Sequence, residues 1–83
     1  MNIQHEILRT LSNASGHPLM EDVIQAQVES RLRPRPTNAE FDDAMLNLRT
    51  RGFIAVKENE LDPEQPFWLL DERGEAYIIK AKL

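Results

Sequence analysis

The sequence predicts an α+β domain built from three helices, a two-stranded antiparallel hairpin and a closing helix. Apolar residues recur at helical spacing in three N-terminal stretches, and the third of these also carries its own start and stop signals. Two short apolar runs, Phe53-Ile54-Ala55-Val56 and Phe67-Trp68-Leu69-Leu70, are separated by about ten polar residues that include Pro63 and Pro66, the pattern of a hairpin with an extended loop. With 83 residues and no internal repeat, one domain over residues 1–83 is expected. Helices are expected over about 2–13, 20–32, 37–51 and 71–82, and strands over about 53–57 and 66–70.

Each element follows from local chemistry. Ile3, Ile7, Leu8 and Leu11 fall on one face of a first helix, which Ser12-Asn13-Ala14-Ser15-Gly16-His17-Pro18 ends with turn formers. Leu19 has room for a minimal strand. Ile24, Val28 and Leu32 repeat every four residues in a second helix. Glu21 and Asp22 in its first turn and Arg31 in its last complement the helix dipole, and Arg33-Pro34-Arg35-Pro36 stops it. The third helix is the best specified. Thr37-Asn38-Ala39-Glu40 has the capping-box pattern, Phe41, Ala44, Met45 and Leu48 form one stripe, and Gly52 stands where a left-handed residue closes a helix. Asp71 is the expected N-cap of the last helix, whose apolar side would run through Ala76, Ile79 and Leu83, flanked by Tyr77 and Ile78.

Composition narrows the function. A chain this short buries only about 60–65% of its unfolded surface, and without cysteine it has no disulfide or thiolate zinc site to supplement its core. The start, MNIQHEILRT, lacks the basic and apolar regions of a secretion signal. The longest apolar runs, Phe67 to Leu70 among them, are far below the ~20 residues of a membrane span. A cytoplasmic location is expected, with no membrane partner. The formal net charge is −4, which gives no general attraction to a polyanion such as nucleic acid.

The stretch Phe41-x-x-Ala44-Met45-x-x-Leu48-x-x-x-Gly52-Phe53-Ile54 resembles the third helix and first wing strand of the winged-helix superfamily. Trp68-Leu69-Leu70-Asp71-Glu72-Arg73-Gly74-Glu75-Ala76-Tyr77-Ile78 is similar to the last strand and following helix of bacterial winged-helix repressors, with Asp71 in the place of their capping threonine. The resemblance covers the chain in topology and residues 36–78 in motif. It implies that the third helix reads a DNA groove while the hairpin loop, the wing, touches the backbone. On this chain that places Thr37, Asn38, Asp42, Asp43 and Asn47 near base edges and Lys57 on the wing, with Arg31, Arg33 and Arg35 as a phosphate clamp just before the third helix.

The residues on that surface also support a different partner. From Thr37 to Pro66 the acidic Glu40, Asp42, Asp43, Glu58, Glu60, Asp62 and Glu64 face only Arg49, Arg51 and Lys57. Such a surface suits a basic protein through Asp42, Asp43, Glu58 and Glu60, and the arginine turn then reads as solvated surface paired with the acidic start of the third helix. Trp68 is either core or an exposed anchor at a protein contact. Tyr77 and Ile78, next to Ile79, offer a second apolar face on the last helix for a homodimer. Two functions stay open: a DNA-binding, transcription-regulator-like module, or a protein-interaction module that does not bind DNA.

Enzymatic chemistry has no support. Asp42 and Asp43 are consecutive helical positions that do not face each other. Glu58, Glu60 and Asp62 alternate like calcium ligands but lack the glycine and terminal glutamate such a loop needs. His5 lies off the apolar face of the first helix and His17 sits in a loop, so both are expected at the surface rather than on a metal. No catalytic triad, P-loop or dinucleotide motif occurs, and no cofactor is expected.

Overall fold

The computed structural model describes residues 2–83, so Met1 of the expected domain lies outside the described residues. The order is α1 (Ile3–Asn13), β1 (Leu19–Met20), α2 (Glu21–Arg31), α3 (Asn38–Thr50), β2 (Ile54–Lys57), β3 (Phe67–Leu70) and α4 (Glu72–Ala81). The helices enclose a core of Ile7, Leu8, Leu11, Ile24, Val28, Leu32, Phe41, Ala44, Met45, Leu48, Ile54, Trp68 and Ile78. Phe41 is fully buried at its centre and contributes about 1.5–3 kcal/mol by leaving water.

Helix ends are closed by the residues nearest them. The Asn2 side chain accepts from the backbone N–H of Gln4 at 2.9 Å and starts α1. The capping box of α3 is complete: the Glu40 backbone N–H donates to Thr37 Oγ1 at 3.1 Å, and the Thr37 N–H donates to Glu40 Oε1 at 2.9 Å. At its other end Gly52 takes φ 78°, and Phe53 N donates back to the Leu48 carbonyl at 3.0 Å. Asp71 caps α4 by accepting from Glu72 N at 2.8 Å.

The sheet has three strands in the order β1-β3-β2, rather than the two of the expected hairpin. Leu19 pairs with Trp68 and Met20 with Phe67, so the short strand before α2 covers the outer edge of β3. On the other side Ile54 pairs with Leu70 and Val56 with Trp68, both antiparallel. Trp68 therefore lies in the central strand between Leu19 and Val56. Its relative exposure of 8% makes it part of the core rather than an exposed anchor.

α4 buries a different stripe from the expected one. Gly74 and Ile78 face inward, Tyr77 is half-buried, and Ile79 and Ala76 are exposed. The reason lies across the chain. A Cβ at Gly74 would collide with the carbonyl oxygen of Phe53, which itself accepts from Asp71 N at 3.0 Å. That close approach sets the rotation of the helix and turns Ile78, 8% exposed, into the core. Tyr77 stacks on Phe53 with ring centroids 5.3 Å apart. Its hydroxyl lies 2.8 Å from His5 Nε2, so His5 ties α1 to α4 instead of standing free at the surface. The second apolar face expected for a homodimer shrinks to Ile79, with a half-buried Leu83 beyond it.

Candidate functional site

The outward surface of α3 and the hairpin loop is the surface on which both functional readings depend. α3 buries Phe41, Ala44, Met45 and Leu48, which leaves Asp42, Asp43, Leu46, Asn47, Arg49 and Thr50 exposed. Leu46, midway along this face, is 62% exposed. The helix thus mixes carboxylates and an aliphatic side chain with Asn47, Arg49 and Thr50, where a base reader would offer mainly donors to bases and cations to phosphates.

The residues before and at the start of α3 are engaged within the chain. Arg31 Nη1 donates to Thr10 Oγ1 at 3.2 Å and lies 3.8 Å from Glu6 Oε2. Glu6 is buried on α1 and also pairs with Arg9 at 3.2 Å, while Thr10 donates back to the Glu6 carbonyl at 2.8 Å. Arg31 therefore serves a half-buried polar cluster between α1 and α2. Arg33 Nη1 donates to the carbonyls of Glu29 at 2.8 Å and Leu32 at 3.0 Å, closing the negative end of α2. Of the expected clamp, Arg35 alone is exposed with no hydrogen bond or ion pair among the described residues. Nor do the three arginines pair with the acidic start of α3. Glu40 is held by Thr37, and Asn38 accepts from Gln25 Nε2 at 2.7 Å, joining α3 to α2. Asn47 and Lys57 are exposed.

The wing is acidic and ordered. Glu58, Glu60, Asp62 and Glu64 are exposed. Asn59 is buried beneath them: its Oδ1 accepts from Leu61 N at 3.1 Å and its Nδ2 donates to the Gln65 carbonyl at 3.1 Å. This clasp holds Leu61 outward at 98% exposure. Sequence reading missed both residues. Asn59 carries a signal, an asparagine between turn-forming segments, whereas a lone leucine in a polar loop carries none.

A second feature unread in the sequence is a groove of about 350 Å³ lined by Glu21, Asp42, Met45, Leu46, Arg49 and Trp68. Partial burial, then the charges of Asp42 and Asp22, hold the Glu21 carboxyl above its ordinary value. Arg49 lies with its guanidinium carbon 6.0 Å from the Trp68 ring centroid. The indole Nε1 of Trp68 is buried with no acceptor. Among the described residues no group of three or more His, Cys, Asp or Glu side chains is placed to hold a metal ion, and no helix is long and apolar enough to cross a membrane.

The α1–α3 core with a β2–β3 wing and the capping strand β1 is the winged-helix fold. No family model and no curated protein matches the sequence. Among solved structures the chain is similar to a Bacillus cereus protein described as a MarR-like transcription regulator, with a TM-score of 0.66 and 14% identity over 89% of this chain and 48% of that one. The chain spans about half the length of that protein. At this identity the likeness is one of fold.

Proposed function

We propose that the chain is a regulator-like winged-helix module whose α3 and wing dock onto a basic protein surface rather than onto DNA. One observation carries the reading: the face that would meet phosphates is acidic, and two of the three arginines that would offset it are bonded within the chain. Arg31 serves Glu6 and Thr10, and Arg33 serves the end of α2. Asp42, Asp43, Glu58, Glu60, Asp62 and Glu64 remain exposed. Charge complementarity of this kind steers association and selects a partner of opposite sign. Leu46 and Leu61 add the apolar contact area that a charged rim by itself lacks.

Affinity capture with the purified chain as bait tests the proposal. Proteins retained by the native chain are expected to be basic and to be lost when Glu58→Lys and Glu60→Lys are combined. Retention unaffected by that reversal contradicts it.

A second reading, duplex DNA binding, is favoured by the fold shared with a protein described as a transcription regulator. It would rest on Arg35, Asn47 and Lys57, which are exposed. With the exposed Arg49 and Arg51 they give a small phosphate footprint against the seven acidic residues between Thr37 and Pro66.

A further inference from the structure

The outward side of α4 is divided by charge and centred on one apolar residue. Glu72 and Glu75 lie in its first turn, Lys80 in its last turn and Lys82 at its C-cap, and all four are exposed. None of them pairs within the chain among the described residues, where the ion pairs of Arg9 and Arg31 both go to Glu6. Arg73, between the two glutamates, is drawn over the Phe53 ring, 5.9 Å from its centroid. Ile79 stands outward at 79% exposure, although the preceding Ile78 is buried. Beside it, between α4, β3 and the end of α1, runs a groove of about 450 Å³ with Leu11, Leu69, Leu70 and Ile78 along it and Glu75 and Ile79 on its α4 side. An apolar knob and an apolar groove therefore lie next to each other on one surface.

That arrangement selects its own occupant. Two copies of a chain close into a dimer when the same patch meets itself about a two-fold axis. A knob beside its own groove meets this condition, because each copy's Ile79 can enter the other's groove. The charges fit the same axis. Acidic residues at the start of α4 and basic ones at its end suit the helix dipole, and an antiparallel copy of the helix uses that order again, with each acidic half beside the other's basic half. Glu75 and Lys82 are two helical turns apart and so share the side that borders the groove, with Ile79 between them.

We propose that α4 is a homodimer contact: two copies pack their last helices antiparallel, with Ile79 of each in the groove of the other and Glu75 of each beside Lys82 of the other. The contact uses no residue of the acidic face, so it goes beyond the docking reading and is tested separately from it. A dimer carries two copies of α3 and the wing, which gains avidity on a partner with two basic sites.

Sedimentation velocity of the intact chain from about 10 to about 500 μM reads the equilibrium, since dimer content follows mass action. The chain is expected to pass from one to two chain masses over that range. Ile79→Glu, at an exposed position, is expected to keep the native circular dichroism and to weaken dimerisation at least about tenfold. Glu75→Lys is expected to weaken it by setting like charges together, and adding Lys82→Glu to the same chain is expected to restore it, which association through another surface would not show. Glu58→Lys with Glu60→Lys is expected to leave the mass unchanged. A single chain mass at every concentration overturns the proposal. So does a dimer that Ile79→Glu leaves intact, that does not follow the charge exchange, or that is lost with the wing reversal.

Discussion

Arg31 shows how one side chain's partners decide between functions. In sequence it belongs to an alternation of arginines with Leu32, Pro34 and Pro36, which looks like a clamp. In the fold its guanidinium lies beside the buried carboxylate of Glu6 and bonds Thr10. Arg31→Ala is expected to lower stability by about 1–2 kcal/mol, the cost of leaving a buried carboxylate short of a partner, discounted because Arg31 itself is partly solvated. Denaturant unfolding checks this, and partner capture by the folded fraction is expected to stay intact. Glu21 makes the opposite prediction. Its folded carboxyl sits above its ordinary value, so the fold binds that proton more tightly than the unfolded chain does. The stabilisation is therefore complete below the unfolded value and lost as pH rises through the folded one. Glu21→Gln removes the penalty of ionisation, so thermal melts should show it melting above the native chain at pH 7, with the advantage gone at acid pH. Neither role was legible in the sequence, because Glu6 is twenty-five positions from Arg31 and Asp42 is twenty-one from Glu21, and no local pattern reports such distances.

At the scale of elements, α3 was legible because everything that defines it is local. Thr37, Glu40, the stripe from Phe41 to Leu48 and Gly52 lie within sixteen consecutive residues, and each does in the fold what its chemistry implies. Thr37→Ala is expected to cost about 1 kcal/mol, read as a lower denaturation midpoint with an unchanged slope. α4 was misread by one residue for the converse reason. Periodicity alone placed Ala76 and Ile79 inward, but the Phe53 carbonyl packed against Gly74 rotates the helix toward Ile78. β1 is two residues long and exists as a strand only because β3 offers an open edge beside it. The wing's acidity was readable from composition, whereas its order depends on the Asn59 clasp, which needs Gln65 brought back across the loop.

For the whole molecule, the distribution of charge carries more functional information than the fold does. A winged helix supplies a surface made of one helix and one hairpin, and the side chains on that surface decide what it meets. Here the net charge of −4 is matched by the excess of acidic over basic residues between Thr37 and Pro66. Two arginines that sequence reading assigned to phosphate contact are drawn into the chain's own polar bonds. Binding of the purified chain to labelled duplex DNA at about 50 and about 200 mM salt tests the central claim most directly, because phosphate contacts make affinity fall steeply over that range. The account predicts no saturable binding at either concentration. Tight binding at the lower salt that collapses at the higher, and that is lost with Arg35→Ala and Lys57→Ala, would contradict it.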